Sequence, residues 1–241
     1  MCKLKSMIAL KDRIYIAEHD SHQNMLNEIG IKDDYLGASK KFVRLELSPP
    51  DGDPFSDVET WQLKVDQDIR PEWYSDEEYK PMAVEAVKEW AKTHIFVGVY
   101  GLKLNAGSNY YIKDCKDVDI YGSASVKSIC GSASVEYIYG SASVKYIFGS
   151  ASVKNICDSA SVKSICDSAS VENICDSASV EKAYGYSVIC SSRAIVWKKQ
   201  NTLILAENAT FKDNIEKVIY QSGDYKLVSV ESGKAIGDLS T

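Results

Sequence analysis

From residue 122 to residue 184 the chain repeats one pattern of apolar and polar positions every nine residues, seven times over. Aligned, the copies read GSASVKSIC, GSASVEYIY, GSASVKYIF, GSASVKNIC, DSASVKSIC, DSASVENIC and DSASVEKAY. The third position is always Ala and the fifth always Val; the eighth is Ile in six copies and Ala183 in the last. The second and fourth positions are always Ser, the sixth is Lys or Glu, and the first is Gly or Asp. Successive side chains of a strand point to opposite faces, so Ser-Ala-Ser-Val-Lys sets Ala and Val on one side. A bend at positions six to seven lets the Ile at position eight join them. Gly and Asp tolerate positive φ, which suits position one to a corner.

One strand cannot bury its own face, and nine residues are too few to encircle a core. Two copies can close an 18-residue coil with two thin sheets facing each other. Seven copies give three and a half such coils, a stack of about 17 Å at ~4.8 Å per strand. The pattern therefore predicts a two-sided β-solenoid, expected to be right-handed, with Ala, Val and Ile inside and the serines in water. An antiparallel meander has the same period, but identical residues stacking into ladders favour the solenoid. A six-residue period does not fit, and recurring Val, Ile, Gly and Ser oppose helix.

The flanks lack the repeat. Residues 1–101 read as a small α+β domain: alternation at 12–18, 42–47 and 59–65 predicts half-buried strands. Ser21 can cap a short helix over 22–29 that Gly30 stops, and Ser75 or Asp76 can cap a longer one carrying Val84, Val87, Trp90 and Ala91. Pro81 suits the first turn of that helix better than its middle. Residues 102–121 read as an irregular lead-in coil. Residues 185–241 read as degenerate coils and a β cap, with short strands at 194–197, 202–206, 217–220 and 225–230. Such a cap covers the unpaired strand edge that a solenoid end would expose.

Composition narrows the function classes. The chain is 45% hydrophobic and 26% charged, enough apolar material for a core. Its apolar runs span only a few residues where a membrane span needs about 20, and the N-terminal run is too short for a secretory signal. A cytoplasmic protein without membrane contact is expected. Four of the seven cysteines, Cys130, Cys157, Cys166 and Cys175, fall at position nine of the repeat. They read as copies of one packing position, reduced rather than bridged. No CxxC pair suggests a zinc ribbon. The net charge of −6 sits mostly before the repeats, where residues 1–114 hold 15 basic against 20 acidic side chains. That is no footprint for nucleic acid.

The repeat, together with WQLKVDQDIRPEWY at 61–74 and the helix ending near Trp90, resembles uncharacterised proteins of bacteriophages and prophages. Those proteins pair a small N-terminal domain with nonapeptide repeats of the D-S-S-T-V type. This chain departs in carrying Ala at position three and Ser at position four. The resemblance implies a β-solenoid and a phage or mobile-element origin, in the cytoplasm of a host cell, and it carries over no catalytic residue. It also lends weight to interference with host defence.

Candidate chemistry is sparse. His19 and His22, with Glu18 and Asp20, could supply metal ligands, but the same residues suit a capped helix N-terminus. Asp66 and Asp68, two apart, could share a strand face and hold a cation or act as acid and base; a strand end is the plainer account. Trp61, Trp73 and Tyr74 are candidate binding aromatics, although tryptophans in such places are more often core anchors than a ligand cage. On an 18-residue coil Lys127, Lys145 and Lys163 align in a row that could meet an acidic partner, while Glu136, Lys154 and Glu172 alternate on the other side. No phosphate loop, nucleophile elbow or HExxH occurs. The expectation is a non-enzymatic binding or scaffold protein with no metal and no cofactor, engaging a protein partner or itself. The alternatives are a small hydrolase or nuclease using His19, His22, Asp66 and Asp68, and a self-assembling structural protein.

Overall fold

The computed structural model describes residues 5–32, 40–183 and 186–191, and the backbone of five further short strands. The chain divides into two compact units, Met1–Ile95 and Phe96–Thr241.

The first unit is an antiparallel four-stranded sheet with two helices. In sheet order its strands are β2 (Arg13–Tyr15), β1 (Lys5–Leu10), β3 (Val43–Ser48) and β4 (Gln62–Val65). All six residues of β1 are buried, which is why this strand shows no alternation and was not expected. Register assigns the faces. Met7 lies opposite Leu45 and Ala9 opposite Val43, whereas Ser6 lies opposite Glu46 and Ile8 opposite Arg44. Ile8 and Leu10 pack with Met25 and Leu26 of helix α1 (His22–Glu28). Lys5, on the opposite face of β1, places its ammonium 4.9 Å from the ring of Trp90 in helix α2 (Asp76–His94).

Both helices start as their sequences predict. The Ser21 side chain accepts from the Asn24 N–H and Ser75 from the Glu78 N–H, each at 3.3 Å. Asp76, Glu77 and Glu78 in the first turn of α2, and Lys92 and His94 in the last, complement the helix dipole. Pro81 differs from expectation: it lies inside α2, past the first turn, and removes the bond its amide would have given to Glu77.

The second unit is the β-solenoid, of about five turns. Before the repeats come β5 (Ile95–Val97), β6 (Lys103–Leu104), β7 (Tyr110–Lys113) and β8 (Val118–Ile120). Each repeat then supplies one strand: β9 (Ser125–Cys130), β10 (Ser134–Ile138), β11 (Ser143–Ile147), β12 (Ser152–Ile156), β13 (Ser161–Ile165), β14 (Ser170–Ile174) and β15 (Ser179–Ala183). Odd- and even-numbered strands fall into separate parallel sheets. Val144 pairs with both Val126 and Val162, and Val153 with both Val135 and Val171, so equivalent residues stack 18 apart. Those pairings skip the sixth position of every copy, which is where the strand bends. Ala, Val and the eighth residue of all seven copies are buried and form one continuous core. The serines at position two are exposed, and those at position four only half so.

Position one explains its own Gly-or-Asp alphabet. Asp158, Asp167 and Asp176 have φ of 56, 57 and 55°, and the glycines of the first four copies are also left-handed. In the first copy the constraint is tighter still, because a Cβ on Gly122 would collide with the Asn105 carbonyl oxygen.

Beyond the repeats, β16 (Val188–Ser191) extends the even sheet and β17 (Ile204–Leu205) the odd one. The strand β18 (Thr210–Asp213) adds in parallel to β16. Then β19 (Val218–Gln221), β20 (Lys226–Ser229) and β21 (Ala235–Asp238) reverse direction and continue that sheet antiparallel. Parallel coils thus give way to a meander at the C-terminal end. The strand expected at 194–197 lies outside the described residues.

The cysteines require a correction. Cys157 and Cys175, expected to be reduced, are joined by a disulfide. The stacking that makes them copies of one position also sets their Cα atoms 4.8 Å apart, within bridging range. Cys115 is a buried free thiol.

Candidate functional site

The first unit gathers chemistry where α1 meets the sheet. Glu46 of β3 lies directly across from Lys64 of β4, so both side chains share a face. Asp66, just past β4, has the parity of Lys64 and is held by its N–H donating to the Arg44 carbonyl at 2.9 Å. His22, the first residue of α1, is buried over the same place, and its Nε2 meets the Leu45 carbonyl at 3.1 Å. A carbonyl oxygen can only accept, so Nε2 carries a proton, and in the neutral ring the lone pair is then on Nδ1. That Nδ1 lies 3.6 Å from Asp66 Oδ2. One ligand atom each from His22, Glu46 and Asp66 falls within 4.8 Å of the other two. Lys64 Nζ stands by, 3.4 Å from Asp66 and 3.9 Å from Glu46.

Of the four acid–base candidates in the sequence, the structure brings together His22 and Asp66. His19 is turned elsewhere: its Nε2 meets Glu28 Oε1 at 2.8 Å, while the Tyr15 hydroxyl donates to the other Glu28 oxygen at 2.7 Å. The His19 bond first, and the Tyr15 bond second, hold the Glu28 carboxyl below its ordinary range. Asp20 pairs at 3.0 Å with the fully buried Lys5, whose ammonium also donates to the carbonyls of Ala17 and His19. Asp68 is exposed and not in the group. Glu46 was missed. Its place in the alternation Val-Arg-Leu-Glu-Leu-Ser reads as solvent-facing, but α1 lies over that face and Glu46 is buried.

The aromatic candidates are placed as anchors. Trp61 is buried, its indole N–H donating to the Ser56 hydroxyl at 3.0 Å. Tyr74 stacks on Tyr79 at 5.0 Å, and burial pushes its phenol pKa well up. Trp73, half-exposed, packs on Tyr79 and donates to the Lys40 carbonyl at 2.8 Å.

On the solenoid, Lys127, Lys145 and Lys163 take equivalent positions of β9, β11 and β13, and form the expected column. Lys145 leans over the Tyr146 ring at 4.9 Å. On the even sheet Lys154 bonds to Glu136 at 2.9 Å, which raises the lysine pKa. The side chains of Asn155 and Asn173 continue that face as a ladder, bonded at 3.2 Å.

A tyrosine cluster lies at the corner of the even sheet, where the aromatic residues of position nine read from the sequence as a partly buried packing ladder. Tyr121 and Tyr139 stack with ring centroids 5.2 Å apart, and Tyr137 meets Tyr139 edge-on at 6.3 Å. Tyr137 and Tyr139 keep 46% and 36% of their surface exposed. The available signal was faint: the second copy alone carries Tyr at both position seven and position nine. No protein-family model, curated protein or solved structure matches the chain.

Proposed function

We propose that this chain is a non-enzymatic binding protein of phage type, whose solenoid presents a rigid face to a protein of the host. The observation that carries the reading is the cluster of the half-buried Tyr121 with the exposed Tyr137 and Tyr139. Tyrosine offers a large apolar ring and a hydroxyl, and is enriched at protein interfaces for that reason. Mounted on a hydrogen-bonded ladder, these rings lose little freedom when a partner docks, so more of the contact energy is available for binding. The Glu136–Lys154 pair and the asparagine ladder supply a polar rim on the same sheet. The likeness to phage and prophage proteins supports a host component in the cytoplasm as the partner, and interference with host defence as the consequence.

The test compares the full chain with the double variant Tyr137→Ser/Tyr139→Ser in affinity capture from host lysate. A partner held by the parent and lost by the variant supports the reading. Equal capture by both, or no partner while the purified protein turns over a substrate, overturns it. Light scattering on both proteins identifies the case in which the partner is a second copy.

A further inference from the structure

We infer that His22, Glu46 and Asp66 form a binding site for one divalent first-row transition-metal ion. This goes beyond the binding role of the solenoid and does not depend on it. The ligand atoms of all three residues lie within 4.8 Å of one another. His22 Nδ1 and Asp66 Oδ2 are 3.6 Å apart. Ligands at about 2.1 Å around a tetrahedral ion are separated by about 3.4 Å, so this pair needs almost no movement to share a metal. The histidine is also oriented as a ligand should be. Its Nε2–H is engaged by the Leu45 carbonyl, which fixes the tautomer and directs the Nδ1 lone pair at the carboxylates.

The second, independent observation is the state of Glu46. Only 3% of this residue is exposed, and its ion-pair partner is the exposed Lys64. Lys64 Nζ is 3.9 Å away, beyond hydrogen-bond range. A carboxylate removed from water is costly unless it is paired or holds a metal. Lys64 offsets that cost partially, being 60% exposed at its side chain and shared with Asp66. A divalent ion between Glu46, Asp66 and His22 would satisfy the buried charge directly, and Lys64 is free to swing into water.

The donor set selects the class of ion. An imidazole nitrogen with two carboxylates suits zinc, manganese or a neighbouring ion, whereas calcium and magnesium prefer oxygen donors throughout. Three protein ligands leave a coordination position for water. The three residues come from α1, β3 and the end of β4, so the ion would tie the helix N-terminus to the sheet.

Calorimetric titration of the full chain with zinc and with manganese, the Cys157–Cys175 bond intact, tests this. The bond matters because Cys157, Cys175 and Asp176 form a second ligand group that its reduction would open to zinc. One ion per chain is expected, with Glu46→Gln and Asp66→Asn each weakening binding by more than about tenfold. Asp66 is exposed, so Asp66→Asn keeps the test valid even where Glu46→Gln disturbs the core. Lys64→Ala should tighten binding by removing the competing positive charge. Absence of binding at millimolar metal, equal affinity in both carboxylate variants and the parent, or magnesium binding as tightly as zinc would each overturn the assignment.

Discussion

A carboxylate oxygen of Asp158 accepts a hydrogen bond at 3.0 Å from the backbone N–H of Gly140, its equivalent one coil earlier. Asp167 does the same for Gly149, and Asp176 for Asp158 at 3.3 Å. The change from Gly to Asp at position one thus keeps a backbone that accepts positive φ and adds a side-chain bond between successive corners.

Replacing Asp158 separates the two contributions. Asp158→Asn keeps an acceptor and a residue tolerant of φ 56°, and should leave stability nearly unchanged. Asp158→Ala loses the bond and strains the backbone, for a combined cost of about 2 kcal/mol. Asp158→Gly loses only the bond and should cost about 1 kcal/mol. Denaturant unfolding of the three variants measures the order; an alanine variant as stable as asparagine would refute it.

His94 makes the first unit sensitive to acid. Its ring stacks on Trp90 at 4.7 Å, and burial, with help from the Lys5 ammonium, holds its pKa below the ordinary value. Glu18 and Asp20 act in the opposite sense, and so does the hydrogen bond to the Trp90 carbonyl. With the folded pKa depressed, the unfolded state takes up the proton first. The histidine's contribution is therefore complete above about pH 6.5 and is lost as pH falls through the folded value. Tryptophan fluorescence is the natural probe, since Trp61, Trp73 and Trp90 all lie in this unit. The urea midpoint should drop between about pH 7 and about pH 5, and His94→Gln should reduce that drop. A parent midpoint that rises on acidification would contradict the buried neutral ring.

The disulfide makes the solenoid redox-dependent. Peptide mapping without reductant should recover Cys157 linked to Cys175, with the buried Cys115 alkylated only after unfolding. The bridge closes a separation of 18 residues, and its reduction should cost about 3 kcal/mol in the chain-entropy account. Cys157→Ser/Cys175→Ser should show the same loss and ignore reductant. Rapid alkylation of both cysteines in the oxidised native protein would exclude the bond.

The solenoid was legible because its signal is repeated. Any one Ser-Ala-Ser-Val-Lys run is a weak indication of a strand, but seven copies leave Ala, Val and Ile only one shared interior to occupy. The helix starts at Ser21 and Ser75 were legible for a local reason, since a hydroxyl and the amide it caps lie three residues apart. By contrast β1 was hidden: with both faces covered, Lys5–Leu10 has no polar side to alternate with. The tyrosine cluster was only partly legible, because position nine read as a packing ladder and Tyr121 precedes the first copy of the repeat.

Residue order alone thus determined the period, the inward-facing positions, the left-handed corners and the columns of like residues, all of which follow from local geometry applied repeatedly. Tertiary structure decided which equivalent cysteines come within bonding distance, and that His22 and Asp66 converge while His19 turns away to Glu28. It also decided that Glu46 is buried under a helix formed earlier in the chain. These depend on register and on what covers each sheet face, and side-chain alternation within a single strand specifies neither.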